Sequence, residues 1–448
     1  MRMRRWALAV FASLAICTGC GKSGLGCSGA SKEAEPDPRP MSREKLRELL
    51  GEARPGKDGR WGRLRTTQSE SEQYVQTQIR QLEALGYASG TKTAPSLAGV
   101  VRHDASRAYP GLNFYTAGHA SEAVLMGLDG RVAHRWAKDF WEVWPNDGAD
   151  REQEGTQHWR RAHLFPNGDL LVIHEGLGLV KLDKDSNVIW AKRNGAHHDL
   201  QVLPNGDIAV LARVARVIER VDYRRPTLED FVLILDANGE EGERYSLLEA
   251  FERSEAHGHI WDEGTRRWGD LFHTNSIEVL DGRFASKNPA FAKGNFLLSS
   301  RHLDTVFIVD PDGNEVIWAL RGAFKAQHDA KMLDDGSLML FDNSGRRRIS
   351  AVQVYDIANG ELQWEYAGSE AQPFYTQFCG ASQRLPHGNT VTWRNEDLTH
   401  RARARSRDNR FHLHGLHDNE RVAFIDRVSR LDIDLEDITG PNRVDRVT

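Results

Sequence analysis

Cysteine is scarce in this chain: there are four in 448 residues, and two of them, Cys17 and Cys20, sit in an N-terminal leader. Removal of the leader before Cys20 leaves Cys27 and Cys379, and Cys27 lies in a polar tether. No disulfide framework is therefore expected to hold the fold. A basic excess is lacking too. The 59 Lys and Arg stand against 64 Asp and Glu, a formal charge of -5, without the dominant basic face that a general nucleic-acid binder needs. The apolar run at the N-terminus, Trp6 to Ile16, is too short to span a bilayer comfortably. Helical patterns of about 10–15 residues do not separate most of the strand-like segments, which removes a parallel βαβ sheet. What the chain has in quantity is Gly (40) and Trp (12), which suits many short strands joined by tight turns.

The first residues read as a targeting signal. Met1-Arg2-Met3-Arg4-Arg5 supplies positive charge, an apolar run follows, and Thr18-Gly19-Cys20 closes like a lipobox. Cys20 is then the lipidated residue, since bulky Ile16 makes Cys17 the poorer candidate. A plain secretory signal cleaved nearby is the competing reading. Residues 1–19 are thus expected to be a lipoprotein signal peptide and 20–40 a flexible Gly/Ser/Pro tether. The mature chain is expected to be exported and lipid-anchored in the cell envelope, on the periplasmic or outer-membrane side. Residues 41–95 form a helical extension, with a short amphipathic piece at Ser42–Leu50 and a longer one at Ser69–Leu85. In the longer one Ser69 and Glu72 make a capping box, Val75, Ile79, Leu82 and Leu85 share a face, and Gly86 is the stop.

From about residue 112 the pattern turns to strands and repeats. One unit is a turn followed by an apolar strand: FPNGDLLVI at Phe165, LPNGDIAVL at Leu203, LDDGSLMLF at Leu333 and LPHGNTVTW at Leu385, with KGNFLLSS at Lys293 as a partial copy. The other runs from Asp through a turn to Trp, ending at Trp136, Trp190, Trp318 and Trp364; LILDANGEEGERY near Asp236 is a copy without Trp. The units alternate at roughly forty to fifty residues, with a long insertion around 244–293, and that is the sequence of a propeller blade. A β-sandwich does not explain the repeats. The expected fold is all-β, a six-bladed β-propeller over residues 96–393, with a sixth blade closed from the chain ends.

The stretch from Phe272 to Gly345 carries the side chains suited to an anion. His198 precedes Leu203 by five positions, His328 precedes Leu333 by five, and His273 precedes Leu280 by seven. Side chains alternate along a strand, so all three imidazoles would face one central channel. Asp199 and Asp329 would then turn the other way. Arg301 ends a strand and can reach the same mouth, and His302 beside it would face away from it. Three histidines can hold zinc, but an arginine in the site repels a cation and no H-E-x-x-H spacing is present. No metal is therefore expected. A lone strand histidine is more often structural than catalytic, and His163, His174, His412, His414 and His417 are read that way.

F-H-x-N-S, S-S-R-H-x-D-T, Q-H-D-A and F-D-N-S-G, in this order, resemble the bacterial arylsulfotransferase family over about residues 110–390. The resemblance implies ping-pong transfer of a sulfuryl group from an aryl sulfate ester to a phenol, with no cofactor. It implies that His328 is transiently sulfated, and that His273, Arg301 and His198 bind the sulfuryl oxygens. His197 is the fallback should the H-H doublet be read one residue off. His197, Asn275 and Asn343 would join the substrate-binding set. The partners implied are a small aryl sulfate, a phenolic acceptor and a membrane reached through the lipid anchor, with no nucleic acid. Two other readings stay open: a non-catalytic propeller serving as a binding or assembly platform, and a hydrolase in which water replaces the phenol.

Beyond Asn389 the resemblance fades. Arg394 to Arg410 reads RNEDLTHRARARSRDNR, and residues 394–448 form a divergent polar tail. Either this is a solvated tail, with the last blade completed by strands from around 95–125, or the C-terminus is altered, for instance by a frameshift, and the ring closes poorly.

Overall fold

The two repeat units become two kinds of hairpin. The computed structural model describes residues 68–85, 91–93, 99–102, 104–106, 108–261, 268–321, 324–343, 349–369, 374–377, 379–393, 401–403, 412–414, 421–423 and 425–431. All but Gln68 fall in one compact unit, Ser69–Thr448. The leader with Cys20, the tether and the Ser42–Leu50 piece lie outside the described residues. Each turn-then-strand unit joins the innermost strand of a blade to the next one. At Phe165 and Leu203, for instance, the backbone N–H of the first residue donates to the carbonyl of the fifth. Each Asp-to-Trp unit joins a third strand to a fourth.

The fold is an all-β propeller. Its first blade holds Leu112–Ala117, Glu122–Met126 and Val132–Ala137, with Ile425–Leu431 as innermost strand. The second is Trp159–Leu164, Leu170–His174, Gly178–Leu182 and Val188–Lys192. The third is Ala196–Val202, Ile208–Ile218, Asp222–Leu235 and Glu241–Ser246. The fourth is Thr274–Val279, Phe296–Ser300, Thr305–Asp310 and Glu315–Arg321. The fifth is His328–Met332, Ser337–Asp342, Ala351–Asp356 and Leu362–Ala367.

The six-bladed expectation is corrected to five blades. A further sheet, Ala381–Arg384, Thr390–Trp393 and Arg401–Arg403, has three strands and no fourth among the described residues. Past Trp393 the sequence is dense in charge, without the apolar alternation of an outer strand. Chain-end pairing also runs opposite to the expected sense. The late strand Ile425–Leu431 completes the blade that begins at Leu112, rather than early strands completing the last one.

The core lies between blades. Leu171 and Ile173 of the second blade pack on Val210 and Leu233 of the third, and Leu298 and Phe307 of the fourth pack on Leu211 and Val232 of the third. The recurring Trp ties neighbours together: Trp136 Nε1 donates to the Gly168 carbonyl at 3.0 Å and Trp190 Nε1 to the Ala237 carbonyl at 3.2 Å. The innermost strands are edge strands, and their spare N–H groups are capped by side chains of the preceding blade. Asp199 accepts from Ile277 N, Gln201 from Val279 N, Ser276 from Ala330 N, Glu278 from Met332 N and Asp329 from Ser382 N. A buried N–H left unsatisfied costs about 1–3 kcal/mol, so this ladder is a substantial part of what closes the ring.

The N-terminal helix spans Gln68–Glu83. It starts one residue before Ser69, which therefore lies inside the first turn rather than capping it. Val75, Ile79 and Leu82 are half-buried, and Arg213 donates to the Leu85 carbonyl just beyond the helix. No helix among the described residues is long and apolar enough to cross a membrane.

Candidate active site

Every innermost strand from the second blade to the fifth breaks register at the same end. The irregularities fall between Trp159 and Arg161, Ala196 and Leu200, Thr274 and Ser276, and His328 and Lys331. His198 and Asp329, within two of these breaks, have left-handed φ of 53° and 56°, and His273, just ahead of a third, has 50°. A bulge re-aims side chains and breaks strict alternation, and this decides the site.

The residues fall into two tiers. Counting back five positions from Phe165, Leu203, Leu280, Leu333 and Leu385 gives Arg160, His198, Asn275, His328 and Gly380. All five line one small cavity that is partly open to solvent. His273, seven positions back, sits in the next tier, its ring 4.9 Å from His198 and 6.5 Å from His328 between centroids. Offsets of five and seven are thus not equivalent. Asp199 and Asp329 also line the cavity, contrary to the expectation that they turn away. They lie sideways, capping the next blade, because the bulges interrupt the pleat. Gln327, the Gln of Q-H-D-A, is fully buried and its amide donates to Ser299 Oγ and to the Ser300 and Thr305 carbonyls, clamping the fourth blade to the fifth.

Each histidine is held from behind. His328 Nδ1 donates to Asn343 Oδ1 at 2.7 Å and lies 3.1 Å from the Ala326 carbonyl. Both partners are acceptors, so the ring proton is on Nδ1 and Nε2 carries the lone pair. His273 Nδ1 donates to Asp270 Oδ2 at 2.6 Å, and Asp270 Oδ1 accepts the His273 backbone N–H. His198 N–H donates to Glu175 Oε2, and the Nδ1 atoms of His197 and His198 stand 2.9 Å apart, sharing one proton. Arg301 follows the strand Phe296–Ser300, its N–H donating to the His273 carbonyl. His302, beside Arg301, sets its ring 4.7 Å from that of His273 at a tilt of 52° and donates from Nδ1 to the Asp270 carbonyl.

The site keeps its imidazoles neutral. Burial, helped by the Arg301 charge, holds His328 well below the usual imidazole range. Burial and then Arg160 do the same to His198, and burial and Arg213 to His197. His273 is lowered to about 4 by burial although Asp270 pulls the other way. Asp230 is pushed up to about 7, first by burial and then by the Asp270 charge.

Two residues of the expected substrate-binding set, Asn343 and His197, stand behind the site histidines. Asn343 is fully buried, its amide donating to the Thr376 and Cys379 carbonyls, so it orients His328 rather than facing substrate. His197 stands behind His198, with Nε2 4.0 Å from Asp230. Asn275 does line the cavity, with Nδ2 donating to the Gln327 carbonyl and Oδ1 lacking a hydrogen-bond partner. His174 is structural, held between Trp159 Nε1 and the Gly155 carbonyl. Cys379, in no disulfide, is buried on the cavity wall.

Asp270, Glu175 and Arg160 escaped the sequence reading. Asp270 is delivered by the long insertion, where Gly269–Asp270 pairs in parallel with Thr227–Leu228; the short D-x-x-H spacing to His273 was its only local signal. Glu175 lies 3.7 Å from Arg160, 3.6 Å from Arg213 and 3.4 Å from His198 Nδ1, contacts no sequence spacing announces. Arg160 was legible by the rule that found His198 and His328, applied to Phe165. Two groups have metal-ligand proximity, Glu175–His197–His198 and Asp270–His273–His302. The first stands among guanidinium groups, and both imidazoles of the second already donate to Asp270.

A family model described as arylsulfotransferase (ASST) matches residues 161–398, more than half of the chain. No curated protein matches it. Among solved structures, a protein of unknown function from Bacteroides caccae is 12% identical with a TM-score of 0.41, over 64% of this chain and 85% of that one. A streptogramin B lyase is 11% identical with a TM-score of 0.38, over 71% and 88%. A virginiamycin B lyase from Staphylococcus aureus, crystallised with quinupristin, is 10% identical with a TM-score of 0.40, over 72% and 87%. At these scores the likeness says nothing of activity.

Proposed function

The chain belongs to the arylsulfotransferase family, and from that premise we propose that it moves a sulfuryl group from an aryl sulfate to a phenol through a sulfated His328. The observation that carries this reading is the fixed tautomer of His328, whose Nδ1 proton is committed to Asn343 and whose Nε2 is free to attack. In the first half-reaction the Nε2 lone pair forms a bond to sulfur. The bond from sulfur to the aryl oxygen breaks, and its electron pair leaves with the phenolate. Negative charge stays on the non-bridging oxygens, where Arg301 binds it, with His198 as an Nε2–H donor when His197 holds the proton the pair shares, in a buried, weakly screened setting.

In the second half-reaction an acceptor phenol gives up its proton, its oxygen bonds to sulfur, and the pair in the S–N bond returns to Nε2. His273 is suited to take that proton. Asp270 holds its Nδ1–H, leaving Nε2 as a base and stabilising the imidazolium that forms. With His273 neutral above about pH 4, it acts as base rather than as a permanent cationic donor, and a good phenolate leaving group departs without an acid. No cofactor enters either step.

The test is mass spectrometry of protein quenched after mixing with a chromogenic aryl sulfate alone. A sulfate adduct on His328, absent from His328→Ala, is expected. Folded wild type that carries no adduct and releases no phenol would leave the platform reading, and release independent of acceptor would leave the hydrolase. Export with an anchor at Cys20 is part of the proposal. Cys20→Ser should move the chain from the membrane fraction to the soluble fraction, and an unchanged distribution would remove the anchor.

A further inference from the structure

The ring of cavity-lining residues assigns one position from each of four blades: Arg160, His198, Asn275 and His328, all at the same offset from their turns. The proposed mechanism uses the histidines, and Arg301 comes to it from the fourth blade. Arg160 comes from the second. Its side chain lines the cavity and is only 3% exposed, whereas Arg301 is half-buried and His302 exposed. Glu175 and Trp159 explain how it is held. The bulge between Trp159 and Arg161 re-aims the strand, and Glu175 lies between Arg160 and Arg213, steering both. Asn275, across the cavity, has its Nδ2 tied to Gln327 and an unpartnered Oδ1. The charge of Arg160 is felt at both His198 and His328, which it helps to keep neutral.

We infer that Arg160 is a second guanidinium for the transferred group. It binds a non-bridging sulfuryl oxygen from the second-blade side while Arg301 binds from the fourth-blade side. This rests on the sulfuryl-transfer reading for its chemistry, but the site it defines is more general: a pocket for a tetrahedral oxyanion. A planar fork suits such an anion better than the point charge of a lysine. The charged end of the donor lies against Arg160 and the aryl ring points away from it. Neutral aryl compounds lack the end that Arg160 recognises and are expected to bind poorly.

The probe is inorganic sulfate, read by calorimetric titration and by the rise in melting temperature that it induces. Wild type is expected to bind it, and Arg160→Gln to bind it roughly ten- to a hundredfold more weakly, the range of a lost charge-assisted hydrogen bond. Arg160→Lys should recover part of the loss. A residue that merely held Glu175 in place would lower the melting temperature without sulfate and leave the sulfate-induced rise intact. That result, or sulfate binding equal to wild type in either variant, overturns the inference; so does a wild type that binds no sulfate. Should Arg160→Gln fail to fold, Arg160→Lys carries the same comparison. Sulfate binding that depends on Arg160 in a protein with no aryl sulfate turnover would keep the anion site and remove the transferase reading. Turnover unaffected by Arg160→Gln would do the reverse.

Discussion

Asn343 Oδ1 stands 2.7 Å from His328 Nδ1, and the Asn343 amide is committed to two backbone carbonyls, Thr376 and Cys379. The asparagine therefore cannot turn over to offer a donor, and His328 has one tautomer available to it. A neutral partner also leaves the imidazole neutral, as a nucleophile requires. Asn343→Asp would place a carboxylate there, favour the imidazolium and raise the pKa of His328. The acid limb of the rate of His328 sulfation should move to higher pH. Asn343→Leu should lower that rate about 10²-fold through lost orientation. Rapid-quench kinetics from pH 5 to 8 measure both, and an unmoved acid limb in the Asp variant would contradict this account.

Removing the Arg301 guanidinium should be costly. Arg301→Ala is expected to lower kcat/KM for an aryl sulfate by about 10²–10³-fold, the usual loss when one preorganised oxyanion donor goes. Arg301→Lys should retain part of the rate, since it keeps the charge and loses the fork. Equal, small losses in both variants would place Arg301 outside the reacting group's reach.

Asp270 and His273 separate the two half-reactions. Asp270→Asn weakens the support for a protonated His273, so it should slow acceptor turnover more than donor cleavage. A burst of phenol from donor alone should persist while the steady-state rate with acceptor falls. Equal slowing of both phases would remove the base role of His273.

Stability should fall on the acid side. His158, His163 and His273 are held at about 4 and His174 at about 3, in each case chiefly by burial, and His197, His198 and His328 are also lowered. For these groups the unfolded chain takes the proton first, so their contribution is whole above pH 6.5 and is lost as pH falls toward 4. Asp230 and Glu278, both raised to about 7 by burial, run the other way: their contribution is largest in acid and declines as pH rises through 7. Seven histidines outweigh two carboxylates. Calorimetry should show the melting temperature falling between pH 6.5 and 4.5, and a flat or rising trend would contradict the depressed values.

Gly195 tests the placement of the third blade. Its φ is 72°, and a Cβ there would collide with the Arg213 carbonyl oxygen. Gly195→Ala should cost at least about 2 kcal/mol, the left-handed penalty plus the shift of a backbone neighbour. Denaturant titration measures it, and a neutral effect would mean that the strand ahead of His197 and His198 is not tightly seated.

The propeller, its hairpins and most of the site were readable in the sequence because they depend on local chemistry. A turn such as Leu203-Pro204-Asn205-Gly206 sets the start of each second strand, and the repeat period places His198 and His328 at matched points whatever the rest of the chain does. The number of blades was not readable in that way. It depends on whether Arg394–Arg410 can supply an outer strand and on which blade takes up Ile425–Leu431, a pairing between residues some three hundred positions apart whose partners carry no mutual signal. The side to which each residue points was not readable either. Alternation predicts it only while the pleat is regular, and the bulges at His198, Asn275 and Asp329 turn Asp199 and Asp329 into caps for the next sheet and leave His273 off the ring of cavity-lining residues. Only the closed ring brings Arg160 and Glu175 of the second blade against His198 of the third, whereas Asp270 reaches His273 along the chain, three residues away.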